Sequence, residues 1–142
     1  MIVAQSAWDL HSQSGGRFTL GLGTQLQGHY ERPLSIPWSR PQPRLREYIE
    51  SLRAIWRCWE IGEKLNYEGE HYQFSLMTPE FSPSSSGIAP IPITIAAVRP
   101  AMMRLSGQVC DGVRLHPFAT RRYIDCLLYT SPSPRDGLLS RM

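Results

Sequence analysis

Ile91-Pro92-Ile93-Thr94-Ile95-Ala96-Ala97-Val98-Arg99-Pro100-Ala101-Met102 is the stretch whose reading decides the fold. A short apolar, β-branched run ending in small residues reads as a buried strand over Ile91–Ala97. Pro100 then suits the first turn of a helix, where a missing N–H costs nothing. Met102, Leu105 and Val109 give that helix an apolar face. Asp111-Gly112 turns it into a further strand, Val113-Arg114-Leu115-His116. Strand, helix, strand in this order implies parallel strands joined by a helical crossover. Free N–H groups in the helix's first turn, with the helix dipole, favour a phosphate at Ala97–Ala101, and Arg99 could add a bidentate fork. A plain connection carrying a solvated arginine fits the same residues.

Toward the N-terminus the alternation continues. Ile2, Val3, Ala7 and Leu10 form one face of a helix over Met1–His11, and Ser14-Gly15-Gly16 stops it. Arg17–Gly23 reads as a short buried strand ending in Gly21-Leu22-Gly23. Glycines at a strand end let backbone approach a planar ring or a phosphate; a tight turn that binds nothing would use them equally well. Leu26 stands where a dinucleotide fingerprint would place its third glycine. Thr24–Pro43, with Pro33, Pro37, Pro41 and Pro43, reads as an irregular loop in which Trp38 could cover a ligand.

From Arg44 the apolar positions Leu45, Tyr48, Ile49, Leu52, Ile55, Trp56 and Trp59 recur at helical spacing, and Gly62 closes the element. Arg44 opposes the dipole of the helix it opens, as an exposed arginine or as one held to meet an anion. Leu65–Tyr67 and His71–Phe74 around Gly69 predict a hairpin, and Pro79–Pro90 an exposed loop. His29 and His116 lie beyond strand ends, where each could donate a proton, line a pocket or simply be exposed.

The 142 residues fit one domain, 42% hydrophobic and 19% charged. The net charge of +3 comes from basic residues spread along the chain, without the basic block that nucleic-acid binding requires. No apolar run approaches the ~20 residues of a membrane span, and Met1–Ala4 lacks the pattern of a signal peptide. Cys58, Cys110 and Cys126 form neither a disulfide framework nor a zinc pattern, and the histidines lack ligand spacing, so no metal is expected. A reducing cytoplasm is the expected compartment. No Ser-His-Asp order, P-loop or paired carboxylate can be assembled. That fits redox chemistry in which a cofactor performs the hard step.

Ser14-Gly15-Gly16-Arg17-Phe18-Thr19-Leu20-Gly21-Leu22-Gly23 resembles a strand of the luciferase-like monooxygenase family. Arg44-Leu45-Arg46-Glu47-Tyr48-Ile49, Tyr67-Glu68-Gly69-Glu70-His71-Tyr72, Pro92–Ala97 and Gly107–Val113 are similar to its next helix, hairpin, strand, and helix with strand. The resemblance covers nearly all of residues 1–125 and is nearest the deazaflavin branch. It implies an α/β fold, a partial (β/α)8 (TIM) barrel of about three parallel strands with helices and one small hairpin. It further implies an oxidoreductase using reduced coenzyme F420, or alternatively FMN, for hydride transfer or monooxygenation of a small organic substrate. Gly21, Gly23, Thr24 and Gln25 would line the cofactor near its ring or ribityl chain. Ala97, Val98, Arg99 and Ala101 would receive its phosphate, with Arg44 assisting. Neither histidine matches a defined catalytic position, so the catalytic residues stay unassigned. A homo-oligomeric parent fits the resemblance; nucleic acid and membrane are not expected partners. Flavin-free barrels of the family that act as binding or structural proteins are the alternative.

Cys126-Leu127-Leu128-Tyr129-Thr130-Ser131-Pro132-Ser133-Pro134-Arg135-Asp136 resembles a translated sequencing-library adaptor. The expected organisation is therefore a barrel segment over 1–125 and a non-native or disordered tail over 126–142. Three strands of the eight a barrel needs would leave this polypeptide, on that reading, a truncated fragment inactive by itself.

Overall fold

The computed structural model describes residues 1–129 apart from Leu34 and Ile36, with Tyr30 and residues 127–129 described in backbone only. The chain divides into two compact units.

One unit comprises Met1–Leu20 and Glu47–Pro92. Helix α1 (Ile2–Gln13) ends as predicted. Gly15 and Gly16 take φ of 62° and 83°, and the Gly16 N–H returns to the His11 carbonyl at 2.9 Å. Helix α3 (Pro41–Ile61) contributes its residues from Glu47 onward. The apolar stripe read from the sequence is the core here: Ile49, Leu52, Ile55, Trp56 and Trp59 are buried, as are Ala4, Ala7 and Trp8 of α1. The Trp8 and Trp59 rings meet edge to face, 5.5 Å between centroids. Trp56 Nε1 donates to the Ala4 carbonyl at 3.1 Å. His11, only 3% exposed, spans two segments: Nδ1 lies 3.1 Å from the Phe18 carbonyl and Nε2 lies 2.8 Å from that of Ala89.

The polar side of α3 holds two loops through carboxylates. Strands β2 (Tyr67–Glu68) and β3 (Gln73–Phe74) pair antiparallel. Their turn is docked by Glu47, which accepts the N–H groups of Glu70, His71 and Tyr72 at 3.2, 2.7 and 3.2 Å. Gly69 leaves room for it: a Cβ there would displace the Glu47 carboxylate from this position. Glu60 accepts the N–H groups of Ser86 and Gly87 at 2.9 and 2.8 Å, together with the Ser85 hydroxyl. These bonds favour the charged carboxylates, so both carboxyls lie below the usual value, led by the His71 N–H for Glu47 and the Ser86 N–H for Glu60. Ionisation therefore favours folding. The contribution is complete above the ordinary carboxylate pKa and is lost as pH falls through the lowered folded-state values. The thermal midpoint should accordingly fall between about pH 5 and pH 2. The Glu47→Gln, Glu60→Gln double variant should show a flatter dependence; an equally steep one would contradict this.

The other unit comprises Gly21–Arg46 and the chain from Ile93 onward. Strands β1 (Leu20–Leu22), β4 (Ile93–Ala96) and β5 (Gly112–Arg114) form one sheet in the order β1-β4-β5. β4 and β5 run parallel, with Ile95 opposite Val113 and Ala96 opposite Arg114. β1 is parallel to β4 as well: Gly21 lies against Thr94 and Gly23 against Ala96, so both chains advance together. The crossover helix α4 (Pro100–Val109) starts at Pro100 as predicted. Asp111 ties its far end to β4: its N–H reaches the Ile93 carbonyl and its Oδ2 accepts the Ile93 N–H at 2.8 Å.

Several element limits differ from the sequence reading. The run Ile91–Ala97 is a four-residue strand buried on one face only: Ile93 and Ile95 are buried, while Ala96 is exposed and Thr94 is intermediate. The proline-rich loop contains a short helix, α2 (Gln27–Glu31), and α3 begins at Pro41, because proline is tolerated in a first helical turn. After residue 124 the chain continues as helix α5 (Arg121–Tyr129). Thr120 caps it, its Oγ1 accepting the Tyr123 N–H at 3.3 Å. Regular structure thus continues through the first residues of the expected tail; residues 130–142 lie outside the described residues. No helix among the described residues is long and apolar enough to cross a membrane.

Candidate cofactor site

Parallel strands place their C-terminal ends on one edge of the sheet, where ligands of α/β proteins bind. Gly23 and Ala96 are neighbours on that edge, and a Cβ on Gly23 would lie 3.7 Å from that of Ala96. Strand alternation puts Gly21, Gly23, Thr94, Ala96, Gly112 and Arg114 on one face. Arg114 Nε reaches Thr94 Oγ1 at 3.4 Å there. The opposite face carries Ile93 and Ile95, both fully buried. In a barrel with its helices outside, the small-residue face is the one that points inward.

Beyond Ala96 the backbone donors divide. The Ala97 N–H is spent on the Arg114 carbonyl at 3.1 Å, completing the sheet. The N–H of Ala97, one of the residues expected at the phosphate, is thus engaged within the sheet. Met102 and Met103 both donate to the Arg99 carbonyl, at 3.0 and 3.1 Å. Val98, Arg99 and Ala101 carry the N–H groups ahead of those first helical bonds. The N-cap residue is Arg99, with φ −117° and ψ 154°, and it makes no side-chain cap bond. A guanidinium has no acceptor, so it cannot satisfy these donors as Ser, Asp or Asn would. Oriented donors, a positive dipole end and an exposed guanidinium match the chemistry of a phosphate.

A cavity of about 300 Å³ adjoins Val98 and is lined by His116, Phe118, Ala119, Thr120 and Tyr123. The Tyr123 hydroxyl donates to the Val98 carbonyl. His116 Nδ1 accepts the Phe118 N–H at 3.2 Å, so the neutral ring carries its hydrogen on Nε2. The other expected residues have local partners. Gln25 Oε1 lies 3.1 Å from His29 Nδ1. Arg44, in the first turns of α3, donates to Ser39 Oγ at 3.3 Å. Thr24 and Trp38 are half-buried. Tyr123 escaped the sequence reading, since its contact with Val98 spans 25 residues; the capping Thr120 was the signal that could have disclosed its helix.

The first unit holds two further features. A cavity of about 370 Å³ lies among Trp8, His11, Trp56, Ile88 and Ile91. Glu47, Glu70 and His71 bring possible ligand atoms within 4.8 Å of one another. The Glu47 oxygens already serve three backbone N–H groups, so the hairpin accounts for this grouping without an ion.

The family model for luciferase-like monooxygenases matches residues 1–125. The chain belongs to the luciferase-like monooxygenase family. Among relatives of this luciferase-like chain, an uncharacterized protein of Mycobacterium tuberculosis is 47% identical over 125 residues, covering 87% of this chain and 36% of that protein. An F420-dependent glucose-6-phosphate dehydrogenase of Nakamurella multipartita is 35% identical over 138 residues, covering 96% of this chain and 38% of the relative. A 5,10-methylenetetrahydromethanopterin reductase of Archaeoglobus fulgidus is 32% identical over 115 residues, covering 81% and 32%. The chain thus spans about a third of the length of the luciferase-like relatives it matches.

Proposed function

We propose that this chain forms the phosphate-binding part of the cofactor mouth of an oxidoreductase that uses coenzyme F420. The reading is carried by one observation: Gly23 and Ala96 end side by side on parallel strands, directly ahead of uncapped donors at Val98, Arg99 and Ala101. The name of one relative, an F420-dependent glucose-6-phosphate dehydrogenase, supplies the cofactor class. Gly21 and Gly23 would give the ring or ribityl chain close backbone approach, with Thr24 and Gln25 beside them. Val98, Arg99 and Ala101 would hold the phosphate, and Arg44 would add charge. When bound, the deazaflavin supplies hydride transfer to a small organic substrate. The protein's part is to orient it and to fix its anionic end. FMN, with monooxygenation, is the alternative cofactor chemistry.

Titrating the chain with oxidised F420 and, separately, with FMN while following fluorescence quenching tests this. Saturable quenching by F420 with little by FMN is the expected outcome. Binding of FMN alone would reverse the cofactor assignment, and binding of neither would overturn the reading.

A further inference from the structure

Val98 is the residue at which β4 has ended and α4 has not begun, so neither sheet nor helix fixes its carbonyl. The Tyr123 hydroxyl does so from α5. A trans peptide is planar, and its C=O and N–H point in opposite directions. Holding the Val98 carbonyl therefore aims the Arg99 N–H, in the same peptide unit, away from Tyr123. A hydrogen bond accepted at the carbonyl also strengthens the N–H as a donor. We propose that Tyr123 is a positioning residue for the phosphate loop: it grips the Val98 carbonyl so that the Arg99 N–H is presented to a ligand's phosphate. Tyr123 itself touches no phosphate on this account; it acts through the Val98–Arg99 peptide. Thr120 sets its place by capping α5 through the Tyr123 N–H, and Ala119, Thr120 and Tyr123 wall the same cavity as Val98.

The proposal rests on the phosphate reading of Val98–Ala101, and the test separates the two. The unmodified chain and Tyr123→Phe are each titrated with F420 and with its phosphate-free deazariboflavin counterpart. In Tyr123→Phe, the preference for the phosphorylated compound should fall about three- to tenfold, the net worth of one hydrogen bond. Phosphate-free binding and the thermal midpoint should hold. An intact preference in the variant overturns the role of Tyr123. Equal weakening of both ligands does the same, because it marks a merely structural role. No preference for the phosphorylated compound in the unmodified chain overturns the phosphate reading itself, and the positioning role with it.

Discussion

Truncating Trp56 to alanine is expected to cost the chain about 3–5 kcal/mol, the range for removing a large aromatic from a packed core. Against a total of about 5–15 kcal/mol for an ordinary domain, that is enough to leave much of the chain unfolded at physiological temperature. Trp56 is 6% exposed, and its indole N–H is satisfied by the Ala4 carbonyl. Alanine leaves a cavity between α1 and α3 within one compact unit and removes the Trp56–Ala4 hydrogen bond between those helices. Trp56→Phe keeps most of the apolar volume and loses mainly the N–H, so it should cost about 1–2 kcal/mol. Urea unfolding followed by far-ultraviolet circular dichroism measures both. Near-equal losses for the two variants would mean that the hydrogen bond, not packing, joins the helices. A loss below about 1 kcal/mol for alanine would mean that Trp56 is not a core residue.

The helices were legible wherever short-range rules apply. Pro100 marks the start of α4, Gly15 and Gly16 the end of α1, and the stripe from Leu45 to Trp59 the buried face of α3. What escaped depends on contacts distant in sequence. Glu47 docks a hairpin 24 residues away, and nothing beside Glu47 announces it. His11 joins Phe18 and Ala89, a role invisible in a lone histidine at a helix end. Ile91–Ala97 reads as buried on both faces because Ala96 and Ala97 carry little polar signal; only the pleat shows that Ala96 and Thr94 turn to the open side. The same limit affects the site. Sequence alone reads Ala97 through Ala101 as one strand-to-helix run; only the fold shows that the Ala97 N–H is bonded to the Arg114 carbonyl of β5. The early start of α3 and the run of α5 through residue 126 show helical signals, the first-turn rule and the Thr120 cap, prevailing over proline and unfamiliar composition.

Arg99→Ala is the substitution that most directly separates an anion site from a plain strand-to-helix connection. If Arg99 meets a cofactor phosphate, its loss removes a charge-assisted hydrogen bond worth about 1.5–3 kcal/mol, or about 10- to 150-fold in affinity for F420. Binding of the phosphate-free compound should be untouched. Arg99→Lys should fall between, because lysine keeps the charge but not the planar fork. The salt response adds an independent check. An exposed charge pair is screened over about 10 Å at 0.1 M ionic strength, so F420 affinity should decline with salt in the unmodified chain and decline less in Arg99→Ala. The competing account treats Arg99 as a solvated surface arginine, consistent with its exposure. On that account alanine changes surface charge alone: stability moves by less than about 0.5 kcal/mol, and the ratio of phosphorylated to phosphate-free affinity stays as it was. A preserved ratio would therefore remove Arg99 from the site and leave the phosphate to backbone donors. A collapsed ratio with unchanged stability would assign the N-cap arginine of α4 a ligand, since nothing in its own helix requires a cation where the dipole disfavours one.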